Sequence, residues 1–178
     1  GSKLIPRKTY NLHKSIILTA HALLLEEPNP SESLNLALEA IKFNKNQIIA
    51  AIIAARILSE QGEKTKAEKI IYDIWKSVQH EDLAYLLSYI NPGISPKQRV
   101  EKIEGLIKKT KISGIEGDVS LCRAHMDAKN FDKAKQVIEK YLNENTSRRI
   151  YELLAEIDSN LSKGIAKPRE WMRKAINA

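Results

Sequence analysis

The chain has 178 residues, of which 43% are hydrophobic, 29% charged and 6% aromatic. With only 7 glycines, 6 prolines and few aromatic side chains, this composition favours a helical protein with short loops over an all-β fold. The formal net charge of +7 suits solvated helix faces, an acidic partner or an anionic surface. The single cysteine, Cys122, excludes an intrachain disulfide bond.

Residues 1–9 are a basic lead-in to the first predicted helix. Gly1-Ser2 is typical of a pair that cloning leaves behind, so we expect it to take no part in the fold. The basic residues that follow meet no acidic residue before Glu26. No stretch reaches the roughly 18 apolar residues that a membrane-spanning helix needs. We expect a single helical domain over residues 10–178.

Apolar residues recur at helical spacing along this domain and predict ten helices with short connections. The breaks fall at proline- and glycine-containing segments, because proline lacks the N–H group that a helix interior needs. Short connections make successive helices antiparallel. The predicted pairs are 10–27 with 31–41, 46–61 with 65–78, 81–90 with 95–109, 113–128 with 131–143, and 147–161 with 168–176.

Two helix starts have the pattern of a capping box, in which a hydroxyl side chain and a Glu or Gln three residues later satisfy each other's backbone N–H groups. Thr65 with Glu68 predicts one such start. Ser95 with Gln98 predicts another, and the proline between them suits the first turn of a helix.

A helix pattern returns about every 34 positions, which with two helices per unit is typical of tetratricopeptide-type repeats. Ala20, Ala54 and Ala155 hold equivalent places, where a small residue lets the two helices of a pair approach. The predicted fold is therefore all-α, a tetratricopeptide-like α-solenoid of about five antiparallel helix pairs. The columns that keep the step are Ser33, Ala67, Ala134 and Pro168, and then Ala40, Ile74, Tyr141 and Ala175.

Several segments, taken in order, resemble the C-terminal repeat domain of HemY-family proteins of the alphaproteobacterial type. The resemblance covers roughly residues 10–178. It rests on the order of motifs of which each alone is degenerate. The segments are AARIL at 54–58, IWK at 74–76, HEDLA at 80–84, NPGISPKQR at 91–99, SRR at 147–149, LAEI at 154–157 and PREWMRKA at 168–175.

Repeat arrays of this kind usually present surfaces to partners, so we predict a non-enzymatic protein-interaction scaffold. HemY-family proteins are bacterial inner-membrane proteins associated with haem biosynthesis, so the resemblance also implies a membrane anchor in the parent protein. The basic lead-in suits a segment that follows a membrane span on the cytoplasmic side. A different flavoprotein that shares the HemY name has a glycine-rich dinucleotide loop, which this sequence lacks.

The resemblance to tetratricopeptide arrays also predicts a groove for a protein or peptide partner. In such arrays the first helix of each pair lines the concave face, and its second, fifth, ninth and later positions point inward. Arg56 and Arg123 fall in one column and are candidate anchors for acidic or carbonyl groups. The alternative is that these arginines pair with nearby Glu60 or Glu116. The predicted groove residues are Ile49, Ile52, Arg56, Glu60, Glu116, Val119, Arg123, Met126, Asp127, Ile150, Leu153 and Ile157.

Candidate chemistry is sparse. Cys122 and His125 lie three residues apart on one predicted helix, but a metal site needs more convergent ligands. With His21 they suggest an alternative function, a haem or porphyrin carrier. No catalytic motif, metal site or cofactor is expected.

Two further hypotheses about function follow from the net charge and from the repeats. The basic excess suggests a nucleic-acid-binding helical repeat, although no recurring column of base-reading side chains is present. Self-association through the terminal repeats is compatible with the scaffold hypothesis.

Overall fold

The computed structural model describes residues 6–161 and 165–178. Within those ranges the chain has ten α-helices and no strand, which confirms the predicted all-α class. The helices are α1 (Arg7–Leu25), α2 (Pro30–Phe43), α3 (Ile48–Glu60), α4 (Lys64–Trp75), α5 (Glu81–Tyr89), α6 (Pro96–Thr110), α7 (Ile115–Asp127), α8 (Phe131–Glu139), α9 (Arg148–Leu161) and α10 (Ala166–Ile176).

Local start signals position several of these helices. α2 begins after Asn29, whose side-chain oxygen accepts a hydrogen bond from Glu32 N at 3.3 Å, with Pro30 as the first helical residue. The capping box expected before α6 is formed. Ser95 Oγ accepts from Gln98 N at 3.3 Å, and Gln98 Oε1 accepts from Ser95 N at 2.8 Å.

The start of α4 differs from the prediction. Its N-cap is Glu63, so Thr65 lies inside the helix and does not cap it. The reason is the turn before it, where Gly62 has a φ of +82° and Glu63 N donates to Leu58 O at 2.8 Å. This left-handed turn closes α3 and starts α4 at once.

The chain divides into two compact units. Unit 1 comprises the described residues up to Gly93 together with Lys108–Ile112, and unit 2 comprises Ile94–Ile107 and Ser113–Ala178. The division separates α5 from most of α6, so the pair expected from these two helices stays a prediction. The single domain expected over residues 10–178 also remains a prediction.

Unit 1 contains two of the predicted helix pairs, α1 with α2 and α3 with α4, and α5 packs against α3 and α4. α3 is central, because α1, α2, α4 and α5 all contact it. This agrees with its apolar sequence, in which Ile53 and Ile57 are each only 1% exposed. Ser59 Oγ of α3 donates to Ile90 O at 3.1 Å and ties the end of α5 to it.

Small residues form the interface between α1 and α2. α1 buries Ser15, Thr19 and Ala22, and Ser15 Oγ donates to Ala40 O at 3.0 Å. Ser33 Oγ of α2 donates to Ala22 O at 2.6 Å. The prediction that Ala20 lies at this crossing is wrong, because Ala20 is exposed and Ala22 is fully buried.

Unit 2 contains two further predicted pairs, α7 with α8 and α9 with α10, and α8 packs against α9. Two alanines that the repeat pattern singled out are buried here, since Ala134 is 0% exposed and Ala155 4% exposed. One apolar cluster joins α7, α8 and α9, with Trp171 of α10 packed against it. Its buried members are Val119, Cys122, Met126, Ala134, Ile138, Ile150, Leu153, Leu154 and Ile157.

Candidate functional site

In unit 1 the predicted groove positions of α3 share one helix face. Their spacing of three or four residues places them in a row along the helix. Ile49 is 51% exposed, Ile52 is half-buried, and Arg56 and Glu60 are exposed. This face therefore has an apolar half toward the start of α3 and a charged half toward its end.

Arg56 is held by Glu26, which directly follows α1. Arg56 Nε and Nη2 each donate to a different oxygen of the Glu26 carboxylate, both at 2.6 Å. Such a two-point contact fixes both the position and the plane of the guanidinium group. The Arg56 side chain remains 45% exposed, whereas that of Glu26 is 17% exposed. The predicted alternative partner, Glu60, is not the acid that holds it.

Unit 2 contains a second arginine–glutamate pair between first helices of successive hairpins. Arg149 Nη1 and Nη2 of α9 donate to the two carboxylate oxygens of Glu116 in α7, at 2.8 and 3.1 Å. The side chains are 32% and 26% exposed. Glu116 was predicted as a groove residue, and the structure places it in this ion pair.

The other predicted positions of unit 2 divide into two groups. Arg123 and Asp127 are exposed on α7. The remaining five are at most 7% exposed and belong to the apolar cluster of unit 2. Their side chains pack within the unit because α9 presents its apolar stripe to α7 and α8. These five are Val119, Met126, Ile150, Leu153 and Ile157.

Cys122 and His125 do not form an accessible pair. Cys122 is 0% exposed, its Sγ lies 3.9 Å from Met126 Sδ, and burial raises the pKa of its thiol to about 12. At neutral pH this thiol is protonated and a poor nucleophile or metal ligand. His125 is 6% exposed, and burial lowers its pKa, which keeps the imidazole neutral.

The other histidines lie at different places. His13 and His21 are exposed on α1. His80 is the N-cap of α5, where its Nδ1 accepts a hydrogen bond from Asp82 N at 3.2 Å. This capping role accounts for His80 without a ligand.

Two carboxylates of unit 2, neither singled out by the sequence, connect its helices. Asp118 of α7 accepts from Lys140 Nζ at 2.6 Å and from Tyr141 Oη at 2.5 Å. Burial and the hydrogen bond to Asp118 raise the pKa of Tyr141 and keep its phenol protonated. These contacts fasten the end of α8 to α7.

Asp158 of α9 is 3% exposed and joins three helices. It accepts from Lys135 Nζ of α8 at 2.6 Å and from Trp171 Nε1 of α10 at 2.8 Å. Burial alone would raise the pKa of Asp158, but the hydrogen bonds from Lys135 and Trp171 and the lysine charge lower it below its usual value. The group is therefore a buried, satisfied carboxylate with a structural role.

An open polar cleft of about 590 Å³ lies in unit 2, beside the segment that connects α8 to α9. None of the predicted groove residues lines it. The lining residues are Glu144, Asn145, Thr146, Ser147, Tyr151, Arg173, Lys174, Asn177 and Ala178.

Comparison with known proteins found no match to the chain among family models, curated proteins or solved structures. Over residues 6–161 and 165–178, no cluster of three or more His, Cys, Asp or Glu side chains could hold a metal ion. Along the same ranges, no helix combines the length and the apolar character needed to cross a bilayer.

Proposed function

We propose that the chain is a non-enzymatic scaffold that binds a protein or peptide partner. The observation that supports this most is the α3 face, where half-exposed apolar side chains adjoin an arginine held by a carboxylate. A partner side chain can pack on Ile49 and Ile52 while its carbonyl or carboxylate groups approach Arg56. Such a pairing of apolar contact and charge is common in helical repeat grooves.

Arg56 is suited to this role by its geometry. The ion pair with Glu26 uses Nε and Nη2, and Nη1 lies outside it. Guanidinium has five N–H donors, so a donor group remains to meet a partner. Because Glu26 already fixes the side chain, binding loses less side-chain entropy than it would with a mobile arginine.

We propose further that the fold is a tetratricopeptide-like α-solenoid. Helices that pack in adjacent pairs and the sequence period near 34 support this class. The repeated arginine–glutamate pairing between first helices of successive hairpins, Arg56 with Glu26 and Arg149 with Glu116, is also what a stacked repeat would produce.

On the motifs quoted above, we also propose that the chain is the repeat domain of a HemY-like protein. In that case the parent protein is anchored in the bacterial inner membrane, with this domain on the cytoplasmic side, and it serves haem biosynthesis. Fractionation of cells that express the full-length protein tests the location. Recovery in the soluble fraction alone would contradict it.

The binding test is a pull-down with tagged chain carrying Arg56→Gln and Ile49→Asp together. Both residues are exposed, so we expect the variant to fold. Proteins retained by the wild type should fall by about tenfold, the effect of roughly 1.4 kcal/mol of lost interaction. Arg169→Gln, at an exposed arginine of α10, is the matched control and should retain them. Equal recovery with all three baits would contradict the proposed site.

A further inference from the structure

The outward face of α1 is apolar along most of its length. Ile16 is 50% exposed, Ile17 58%, Leu23 54% and Leu24 74%, and Tyr10 near the start of the helix is 53% exposed. Side chains of this size leave on the order of 500 Å² of apolar surface, near the upper end of the largest patch of an ordinary monomer. The largest apolar patch of a monomer is often functional, which makes this face a candidate contact surface.

This face is not needed for the packing of α1 within unit 1. The buried residues of α1 are Ser15, Thr19 and Ala22, at most 8% exposed, with Leu18 partly buried beside them. Hydroxyl hydrogen bonds join this side of the helix to α2. The packing of α1 within unit 1 therefore leaves its outward face exposed.

The charges of α1 are separated along its axis. Arg7 and Lys8 stand at its start, and no acidic residue occurs before Glu26 and Glu27 just beyond its end. Glu26 is engaged by Arg56, whereas Glu27 is exposed at the surface. The helix dipole adds to this unfavourable separation of charge, because its positive end lies beside the basic residues. An antiparallel neighbour of the same sequence places an acidic end beside each basic end and opposes the two dipoles.

We propose that the outward face of α1 binds a second copy of this chain, with the two α1 helices antiparallel across a two-fold axis. An axis at Ile17 places Tyr10 opposite Leu24 of the second copy and Ile17 opposite its own counterpart. The same axis places Arg7 opposite Glu27 of the second copy. These three apolar residues then meet one another across the axis, and each basic end meets an acidic end, as a self-complementary interface requires.

The size of the face sets the strength of the dimer. Its apolar area approaches but does not reach the roughly 800 Å² per partner of a standard stable interface. The dimer should therefore dissociate in the micromolar range, since smaller interfaces give weaker association. Ile17→Glu changes none of the predicted groove positions of α3, and Arg56→Gln with Ile49→Asp changes none of the apolar residues of this face, so the two activities are measured with different variants.

Sedimentation velocity over a concentration series tests the association. The wild type should pass from monomer to dimer, and Ile17→Glu should weaken dimerisation by about a hundredfold or more, because it buries a charge opposite its own copy. Ile176→Glu is the matched control, since Ile176 is 76% exposed on α10. A wild type that stays monomeric at the highest concentration would overturn the proposal, and so would dimerisation that Ile17→Glu leaves unchanged.

A disulfide test examines the antiparallel register. A thiol introduced by Ile17→Cys lies on the axis and should link two copies under mild oxidation, because the Cβ atoms of symmetric residues at such an axis approach within disulfide range. The native Cys122 is buried and does not compete. Ile176→Cys should not form this link. Failure of Ile17→Cys to link copies that do dimerise would overturn the two-fold arrangement.

A vesicle-binding test distinguishes a second copy of the chain from a membrane as the binding partner of the outward face of α1. When the wild-type chain is mixed with vesicles of anionic phospholipid at a concentration below its dimerisation range, the chain should not sediment with the vesicles. Co-sedimentation with these vesicles that Ile17→Glu abolishes, from a chain that never dimerises, would assign the face to a membrane and overturn the proposal.

Discussion

Helices α1 and α9 each open a hairpin, yet they bury opposite kinds of residue. α9 turns Ile150 and Ile157 into the apolar cluster of unit 2, where they are 1% and 0% exposed. α1 turns Ile16 and Ile17 to the surface and buries Ser15 instead. Both helices are rich in apolar residues, so hydrophobic content alone does not decide which face is inside.

The neighbouring helix makes the difference. α2 offers α1 a stripe of small residues, Ser33, Ala37 and Ala40, all 0% exposed, so small residues of α1 fit where the two backbones approach. α9 faces larger neighbours in its cluster, among them Ile138. A helix with a small-residue stripe therefore packs closely through that stripe and leaves its large side chains for another contact.

The largest expected effect concerns α9, the helix that buries large apolar side chains. Ile157→Ala should lower the free energy of unfolding by about 2–5 kcal/mol, because it removes buried methyl groups and leaves a cavity. Ile157→Val, which removes one methyl group, should cost about 0.5–1.5 kcal/mol. Urea denaturation followed by circular dichroism measures both. A cost for Ile157→Ala below that of the valine variant would contradict the burial.

Asp158→Asn should lower the free energy of unfolding by about 2–3 kcal/mol at neutral pH, because Lys135 loses its charged partner in a largely buried site. The pKa of Asp158 is lowered in the folded state, so its contribution is present above the unfolded pKa and is lost as pH falls through the folded value.

Unfolding measured from neutral pH to below about pH 4 therefore separates the two proteins. The wild type should lose more stability with acid than Asp158→Asn does, because the variant has no carboxyl group there to protonate. Parallel pH profiles would contradict a charged Asp158 in the folded state.

The small-residue stripe can be tested by filling it. Ala37→Leu should destabilise unit 1 by about 1–3 kcal/mol, because the added side chain has no room between α1 and α2. Ala20→Leu is the matched control on the outward face of α1 and should change stability by less than about 0.5 kcal/mol. Thermal unfolding of both variants measures this, and the reverse order would mean that α1 is rotated.

The smallest expected effect compares two turns that occupy equivalent places in the units. Gly62 ends α3 with a φ of +82°, whereas Lys129 ends α7 with a φ of +59°. Both turns are closed by the same backbone bonds, as Asn130 N donates to His125 O at 2.8 Å. A left-handed residue with a side chain costs roughly 1 kcal/mol.

Lys129→Gly should therefore stabilise unit 2 by up to about 1 kcal/mol, and Gly62→Lys should destabilise unit 1 by a similar amount. Differential scanning calorimetry of the two single variants measures the shifts. A destabilising Lys129→Gly would mean that the lysine side chain makes contacts that outweigh its backbone strain.

Local patterns in the sequence predicted the local structure well. The helical spacing of apolar residues, the Ser95 cap and the burial of α3 depend on residues within a few turns of one another, and the structure confirms each. The Thr65 cap failed because the glycine turn at Gly62 started α4 sooner. Both the glycine turn and the Thr65 cap are local features, and the turn comes first along the chain.

Contacts between distant residues could not be predicted in the same way. Arg56 was predicted as a groove anchor, with a pair to Glu60 as the alternative, but Glu26 holds it from the end of another helix. The exposed face of α1 could not be predicted either, because apolar residues occupy most of the circumference of the helix. The side that faces inward is selected by the stripe of small residues on α2. The partner arginine of Glu116 depends likewise on how α7 and α9 pack.

The most direct test of the central claim, that α1 buries its small residues and exposes its large ones, is thiol labelling of two variants under native conditions. At concentrations where the chain is monomeric, the thiol introduced by Ile17→Cys should react nearly as fast as in the unfolded chain, and the thiol introduced by Ala22→Cys should stay protected. Cys122, whose pKa is raised to about 12 by burial, gives a slow background in both. Fast labelling of Ala22→Cys together with protection of Ile17→Cys would contradict the account.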